Sequence, residues 1–295
     1  MAPGALPSTA VAATSPPASA EIIAGPSALA GGLDRFFHLT WTLAVHEFKL
    51  RFFGSVLGYF WQLMRPLLLF GVLYLVFAVI LKAGAGTKYF SAVLLFDIVL
   101  YTFFGDATTA SVRAVFEREN LVRKIRFPRL VIPASVVLTA TFNLLLNLIV
   151  VMIFAIASGV RPHWTWCFLP VIVLATWALC FGLSMILSAL FVRFRDIAPI
   201  WEVILQALFY ATPILYPIET VQQHSGKLAS AMMASPLATI MEQGRHWIID
   251  PTAPTAAEVI GSVPRLLVPI GLIVAAVVVG FWYYNREAPR IAERL

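Results

Sequence analysis

Apolar runs of about 20 residues recur from residue 58 to residue 284, and they restrict this chain more than any other feature. A helix of that length crosses about 30 Å of hydrocarbon. It also satisfies its backbone hydrogen bonds within the segment, as a bilayer requires. Six segments qualify, near 58–82, 89–110, 130–158, 168–192, 197–218 and 266–284. The expected fold class is therefore an all-α integral membrane protein with six transmembrane helices. Charged residues make up only 12% of the chain, against about 25% in soluble domains. No stretch between the runs is large enough for a soluble catalytic domain of about 100 residues, so a soluble enzyme is excluded.

The segments outside the spans divide the chain further. Residues 1–33 are rich in Ala, Pro, Ser and Gly and hold no Lys or Arg. That composition suits a disordered cytoplasmic tail and lacks the basic start of a secretory signal. Residues 34–57 mix Phe, Trp and Leu with His38, His46, Glu47, Lys49 and Arg51, as an amphipathic interfacial helix does. The membrane domain then runs over 58–295. Pro199, Pro213 and Pro217 interrupt its fifth span, whose outer end is expected to break near Pro213. Between the fifth and sixth spans, Ala229 to Ile240 and Met241 to Ile249 are apolar but short. They read as outer helices, re-entrant or interfacial.

Orientation follows from Lys and Arg in the connections. With a cytoplasmic amino terminus, fifteen of the 21 basic residues face the cytoplasm, among them Arg35, Arg65, Arg123, Arg193 and Arg286. The remaining six are Lys82, Lys88, Arg161, Lys227, Arg245 and Arg265. Both termini are expected on the cytoplasmic side. The net charge of +6 is thus a topology signal with some attraction to anionic lipid, and it does not call for nucleic acid.

Several chemistries find no support. Cys167 and Cys180 lie in or beside apolar stretches and make neither a disulfide framework nor a zinc cluster. His38, His46, His163, His224 and His246 share no metal-ligand spacing, so no metal site is expected. The chain's Gly226-Lys227 pair is followed by Leu228 and lacks the phosphate-loop pattern. No cofactor is expected in this chain.

Other residues invite functional readings beside plainer ones. Aromatic rings along the spans offer flat apolar faces, with hydrogen-bonding groups on Tyr and Trp. Candidates to line a channel are Tyr59, Trp61, Phe70, Tyr74, Phe77, Tyr101, Phe104, Phe209 and Tyr210, with helix packing the alternative for each. Asp97 and Asp106 lie in or at the end of the second span, where an ionised group is costly unless hydrated or paired. Nine residues put them about 13 Å and 180° apart on a helix, so they cannot form one carboxylate site. Asp97 is a candidate for the channel, and Asp106 reads as structural. Asn143 and Asn147 share a helix face and suit a bond to a neighbouring helix. The loop Glu117 to Arg129 carries Leu121, Val122, Ile125 and Phe127 along one helix face ended by Pro128. It is either a docking helix for a cytoplasmic partner or a solvated loop.

Three groups of residues carry a family resemblance. They are Arg51, Ser55, Leu57-Gly58, Trp61 and Pro66; Asn120-Leu121, Lys124 and Phe127-Pro128; and Arg193, Arg195-Asp196-Ile197 and Thr212-Pro213-Ile214 with Tyr216. From about Phe36 onward the chain resembles the permease subunit of type-2 ABC exporters, within them the Wzm and TarG group that exports lipid-linked O-antigen, teichoic acid or galactan chains. Ser235-Pro236 departs from the Asn-Pro of many relatives. The resemblance implies a homodimer in the bacterial inner membrane, bound to two copies of a Wzt/TarH-like cytoplasmic ATPase that holds ATP and magnesium. It implies a polyprenyl-linked glycan as substrate. It also implies ATPase-coupling residues at Phe48, Arg51, Glu117, Glu119, Asn120, Leu121, Lys124 and Phe127, and an outer gate at Pro213, Tyr216, Pro236 and Arg245. The alternatives are a type-2 exporter of a drug or small lipid, or a membrane glycosyl or prenyl transferase, which would want clustered carboxylates.

Overall fold

A computed structural model describes residues 32–52, 56–82, 84, 86–119 and 127–294. Among them every regular element is helical. The helices are α1 (Leu33–Phe52), α2 (Val56–Leu73, extended by π-helical turns over Tyr74–Ile80), α3 (Phe90–Glu117), α4 (Val131–Ala157), α5 (Leu169–Arg193) and α6 (Ile197–Ala211). Short helices α7 (Ile218–His224), α8 (Gly226–Met232), α9 (Pro236–Gly244) and α10 (Ala256–Ile260) follow, and α11 (Leu267–Arg294) ends the chain. The expected tail up to residue 31, the bend at 53–55 and the loop residues 120–126 lie outside the described residues.

Among the described residues, five helical segments are long and apolar enough to span a bilayer: Phe60–Ile80, Phe90–Glu117, Val131–Ala157, Trp164–Arg193 and Val263–Ala288. The expected fifth span over 197–218 is shorter than that. Its helix α6 holds 15 residues, about 22 Å at 1.5 Å per residue, against about 30 Å of hydrocarbon. Pro213 accounts for the early stop, because the residue before a proline is driven out of helical geometry. Thr212 is extended there, at φ −88° and ψ 141°.

Burial marks α3 as the central span, although it is the least apolar of the five. Leu94, Leu95, Phe96, Ile98 and Leu100 are consecutive or nearly so on α3 and all fully buried. In α3, 78% of the apolar window is buried, against 6% for the span in α2 and 11% for that in α11. Helix α3 packs against α2, α4, α5 and α6, and α5 packs along α11. At the α5–α11 crossing, a Cβ on Gly280 would stand 2.5 Å from the Gly182 carbonyl oxygen. The two backbones touch there, the close approach that small residues permit between membrane helices.

Helix α1 lies along α4. Phe36, Thr40 and Ala44 are buried and Phe37 and Trp41 exposed, the split that spacing by four produces on a surface helix. Beside it Phe36, Phe127, Leu130, Val131 and Tyr284 form one apolar cluster. The Tyr284 hydroxyl donates to the Arg129 carbonyl at 2.8 Å and so ties α11 to the start of α4. Replacing Tyr284 by Phe removes that donor and is expected to lower stability by about 1 kcal/mol. A lower thermal midpoint in detergent, with normal membrane insertion, is the result that checks it.

Candidate functional site

At the end of the bundle remote from α1, one arginine gathers carboxylates from two short elements. Helix α9 opens on Pro236, whose missing N–H is no loss in the first turn. It runs into a π-helical turn over Arg245–Ile249, closed by the Asp250 N–H on the Arg245 carbonyl at 2.9 Å. Trp166 donates from Nε1 to the Ile248 carbonyl at 2.8 Å, and the Thr165 hydroxyl donates to the Trp247 carbonyl. Gly244 lets this turn approach α3, because a Cβ would meet the Phe96 ring at 2.6 Å.

The turn aims Arg245 inward. Its guanidinium donates to both Glu219 oxygens on α7, at 2.6 and 3.0 Å, and to Glu242 at 3.2 Å. Two parallel bonds to one carboxylate are the strong, directional form of this pair. Asp97 of α3 faces the same small cavity as Glu242 and Arg245. Asp97, Glu242 and Arg245 are only 3%, 5% and 4% exposed. Asp97 Oδ1 and Arg245 Nε have no hydrogen-bond partner among the described residues. Three carboxylates thus surround one guanidinium in a poorly hydrated place.

Burial pushes the Glu242 carboxyl up to about 7, against the pull of Arg245 and with a further push from Glu219. A free glutamate titrates at about 4.5. Between those values the folded chain holds a proton that the unfolded chain has released, so stability falls as pH rises through that window and levels off above it. The drop is about 3 kcal/mol at about 1.4 kcal/mol per pH unit. Glu242→Gln is expected to flatten this slope. Thermal midpoints of both proteins between pH 5 and pH 8 check it.

The rings expected along a channel fall into two groups. The Tyr101 ring lies 5.1 Å from Phe209, and Phe104 lies 6.3 Å from Trp201. The Tyr101 hydroxyl donates to the Leu205 carbonyl, and Trp201 Nε1 donates to the Thr108 hydroxyl at 3.0 Å. These contacts fasten α6 to α3. Phe70 packs 5.3 Å from Phe154 of α4, and Phe77 lies half-buried against the core. Trp61, Tyr74 and Tyr210 remain exposed on the single chain, while the Tyr59 side chain is outside the described residues. At the expected gate Pro213 is buried, and the Tyr216 hydroxyl donates to the Tyr210 carbonyl at 3.1 Å.

At the α1 end, Arg118 pairs with Glu47 and so joins the end of α3 to α1. Phe48 lies 5.5 Å from Phe142 of α4, and Phe127 is buried in the cluster around Tyr284. Glu117 is exposed and Glu119 partly so. The Arg51 side chain and all of Asn120, Leu121 and Lys124 are outside the described residues.

The family profile described as "ABC-2 type transporter" matches residues 38–249. That range starts in α1 and ends at the π-helical turn that carries Arg245. The chain belongs to the ABC-2 type transporter family. It is 33% identical over 201 residues to the O-antigen export system permease protein RfbA of Myxococcus xanthus, covering 68% of this chain and 76% of that protein. Two proteins of the same description from Klebsiella pneumoniae are each 27% identical. One alignment covers 74% of this chain and 83% of the relative, the other 89% and 97%. The chain is thus a multi-pass membrane permease subunit.

In this ABC-2 permease the fold brings together residues that the sequence kept apart. Asp97, expected in a channel, stands beside Arg245, expected at a gate. Glu219 and Glu242, which sequence reasoning passed over, complete the group. Their one local signal was Glu242 placed three residues before Arg245, a spacing that puts two side chains on one helix face.

Proposed function

We propose that this chain is the transmembrane subunit of an ATP-driven exporter that moves a lipid-linked polysaccharide out of the cytoplasm across the bacterial inner membrane. The observation that carries this is the likeness to O-antigen export permeases, which in one case takes in 97% of the relative. The aromatic channel candidates left exposed on α2 and α6, Trp61, Tyr74 and Tyr210, support a path formed between two copies. The α1 end is cytoplasmic in this reading, in agreement with fifteen of the 21 basic residues. The chain lacks a phosphate loop, so ATP and magnesium belong to two copies of a separate ATPase of Wzt/TarH type. Arg51, Glu117, Glu119, Asn120, Leu121 and Lys124 would meet it. Phe48 and Phe127 sit against Phe142 and Tyr284 and would support that seat from beneath. At the far end Arg245, Pro213, Tyr216 and Pro236 form the gate region.

The test is a pull-down of the tagged chain in lipid nanodiscs, joined to its depletion in the host. A phosphate-loop ATPase in equal amount and polyprenyl-linked glycan accumulating inside depleted cells are expected. A depleted strain with normal surface glycan would overturn the reading.

A further inference from the structure

The half of the bundle nearest α1 holds polar side chains that neither the gate nor the ATPase seat uses. Gln62 and Pro66 on α2, Thr102 and Asp106 on α3, and Asn143 and Asn147 on α4 line one cleft. Each pair is spaced by four, which sets both members on one helix face. Helices α3 and α4 therefore turn polar faces, and α2 turns Gln62, toward a common space inside a membrane bundle, where unsatisfied polar groups are expensive. Asn143 is 7% exposed, and its Oδ1 has no hydrogen-bond partner among the described residues. Asn147 is as buried and donates to the Asn143 backbone carbonyl at 2.9 Å. The Asn143 acceptor thus faces a cleft with no protein donor assigned to it, and helix–helix packing does not account for it.

Depth and charge say what kind of group would fill the space. The Thr139 hydroxyl donates to the Ala44 carbonyl of α1 at 3.3 Å. That contact places the cleft, one turn beyond Thr139, in the half of the bundle that α1 covers, the cytoplasmic half in the export reading. Arg65 stands nearby, 3.8 Å from Asp106 and with a largely exposed side chain. A cation beside amides, a hydroxyl and a carboxylate is the donor and acceptor set that a phosphate followed by sugar hydroxyls requires. Phe103, in the same lining, offers a ring face for a sugar.

We propose that this cleft is a loading subsite for the sugar–phosphate head of the lipid-linked cargo. Arg65 takes the phosphate, and Asn143, Asn147, Gln62 and Thr102 take hydroxyls of the first sugar. The proposal rests on the export reading above and names where the cargo is first held. In the present conformation the cleft has about 30 Å³, room for about two waters, so α2 must swing outward to admit a sugar ring. Helix α2 is built to do so. Pro66 lacks the N–H that would bond the Gln62 carbonyl, which weakens the helix at the cleft. The phosphate would draw Arg65 from Asp106 toward the mouth of the cleft.

The full-length chain in nanodiscs is titrated with a polyprenyl diphosphate bearing one sugar and, separately, with the sugar-free diphosphate. The wild-type chain is expected to prefer the sugar-bearing carrier by about tenfold, the worth of one or two net hydrogen bonds. Asn143→Leu with Asn147→Leu should erase that preference and leave binding of the sugar-free carrier intact. Thr102→Val, nearly isosteric and on another helix, should reduce the preference too and guards against a misfolded double variant. Arg65→Ala should weaken both carriers alike. A wild-type chain without preference, or variants that keep it, would overturn the subsite. The export reading is judged apart, by whether depletion of the chain abolishes surface glycan.

Discussion

Gly182→Val is expected to abolish accumulation of the folded chain. A Cβ at Gly182 would stand 2.5 Å from the Ala276 carbonyl carbon and 2.7 Å from the Val277 nitrogen, both backbone atoms of α11. Overpacking a side chain costs about 1–3 kcal/mol when neighbours can shift. Here no rotamer can relieve the clash, so α5 and α11 must separate along the longest helix contact in the fold. Beyond that crossing, α11 is tied to the start of α4 through Tyr284. Gly280→Val meets the opposite side of the same crossing and should fail in the same way. Gly271→Val, on the same helix, meets nothing within 4 Å and should accumulate normally. Detergent-extracted protein, followed by size-exclusion chromatography, gives the readout. Wild-type yields of Gly182→Val would mean that the crossing is looser than described.

That crossing also marks how far the sequence could be read. The spans were legible because a bilayer imposes length and apolarity on each segment separately, and the helices from Phe90, Val131 and Leu169 start within a residue or so of where hydropathy places them. The stop of α6 at Ala211 was legible in Pro213, a local steric effect, although the resulting length was not. Which glycine touches which was not legible. Gly182 and Gly271 look alike in sequence, and only the relative placement of α5 and α11 distinguishes them. The same applies to the far end. Asp97 was singled out as a costly charge, but its neighbours Glu242 and Arg245 arrive from α9 and its π-helical turn, and no periodicity links those segments to α3. For the aromatic set, helical spacing could say that Phe70 and Tyr74 share a face, but not that Phe70 packs on Phe154 while Tyr74 stays exposed.

The far-end charge group should show the largest effect of a single polar substitution. Arg245→Met keeps length and apolar volume but leaves Glu219, Glu242 and Asp97 without their guanidinium. Removing one partner of a buried ion pair costs about 3–5 kcal/mol, because the remaining charges stay desolvated. The loss should be largest above pH 7, where Glu242 is ionised, and smaller near pH 5, where its proton removes its charge. Arg245→Lys separates charge from geometry. It restores a cation but cannot bond both Glu219 oxygens at once, so a partial loss is expected. A double variant, Arg245→Met with Glu219→Gln, should be less damaged than Arg245→Met alone, since one stranded carboxylate has been neutralised. Thermal midpoints at pH 5 and pH 8 report the stability terms, and surface glycan reports whether transport survives. Equal loss at both pH values would detach Glu242 from the group. A stable Arg245→Met chain that still exports would show that the outer helices need no charged clamp to stay closed over α3.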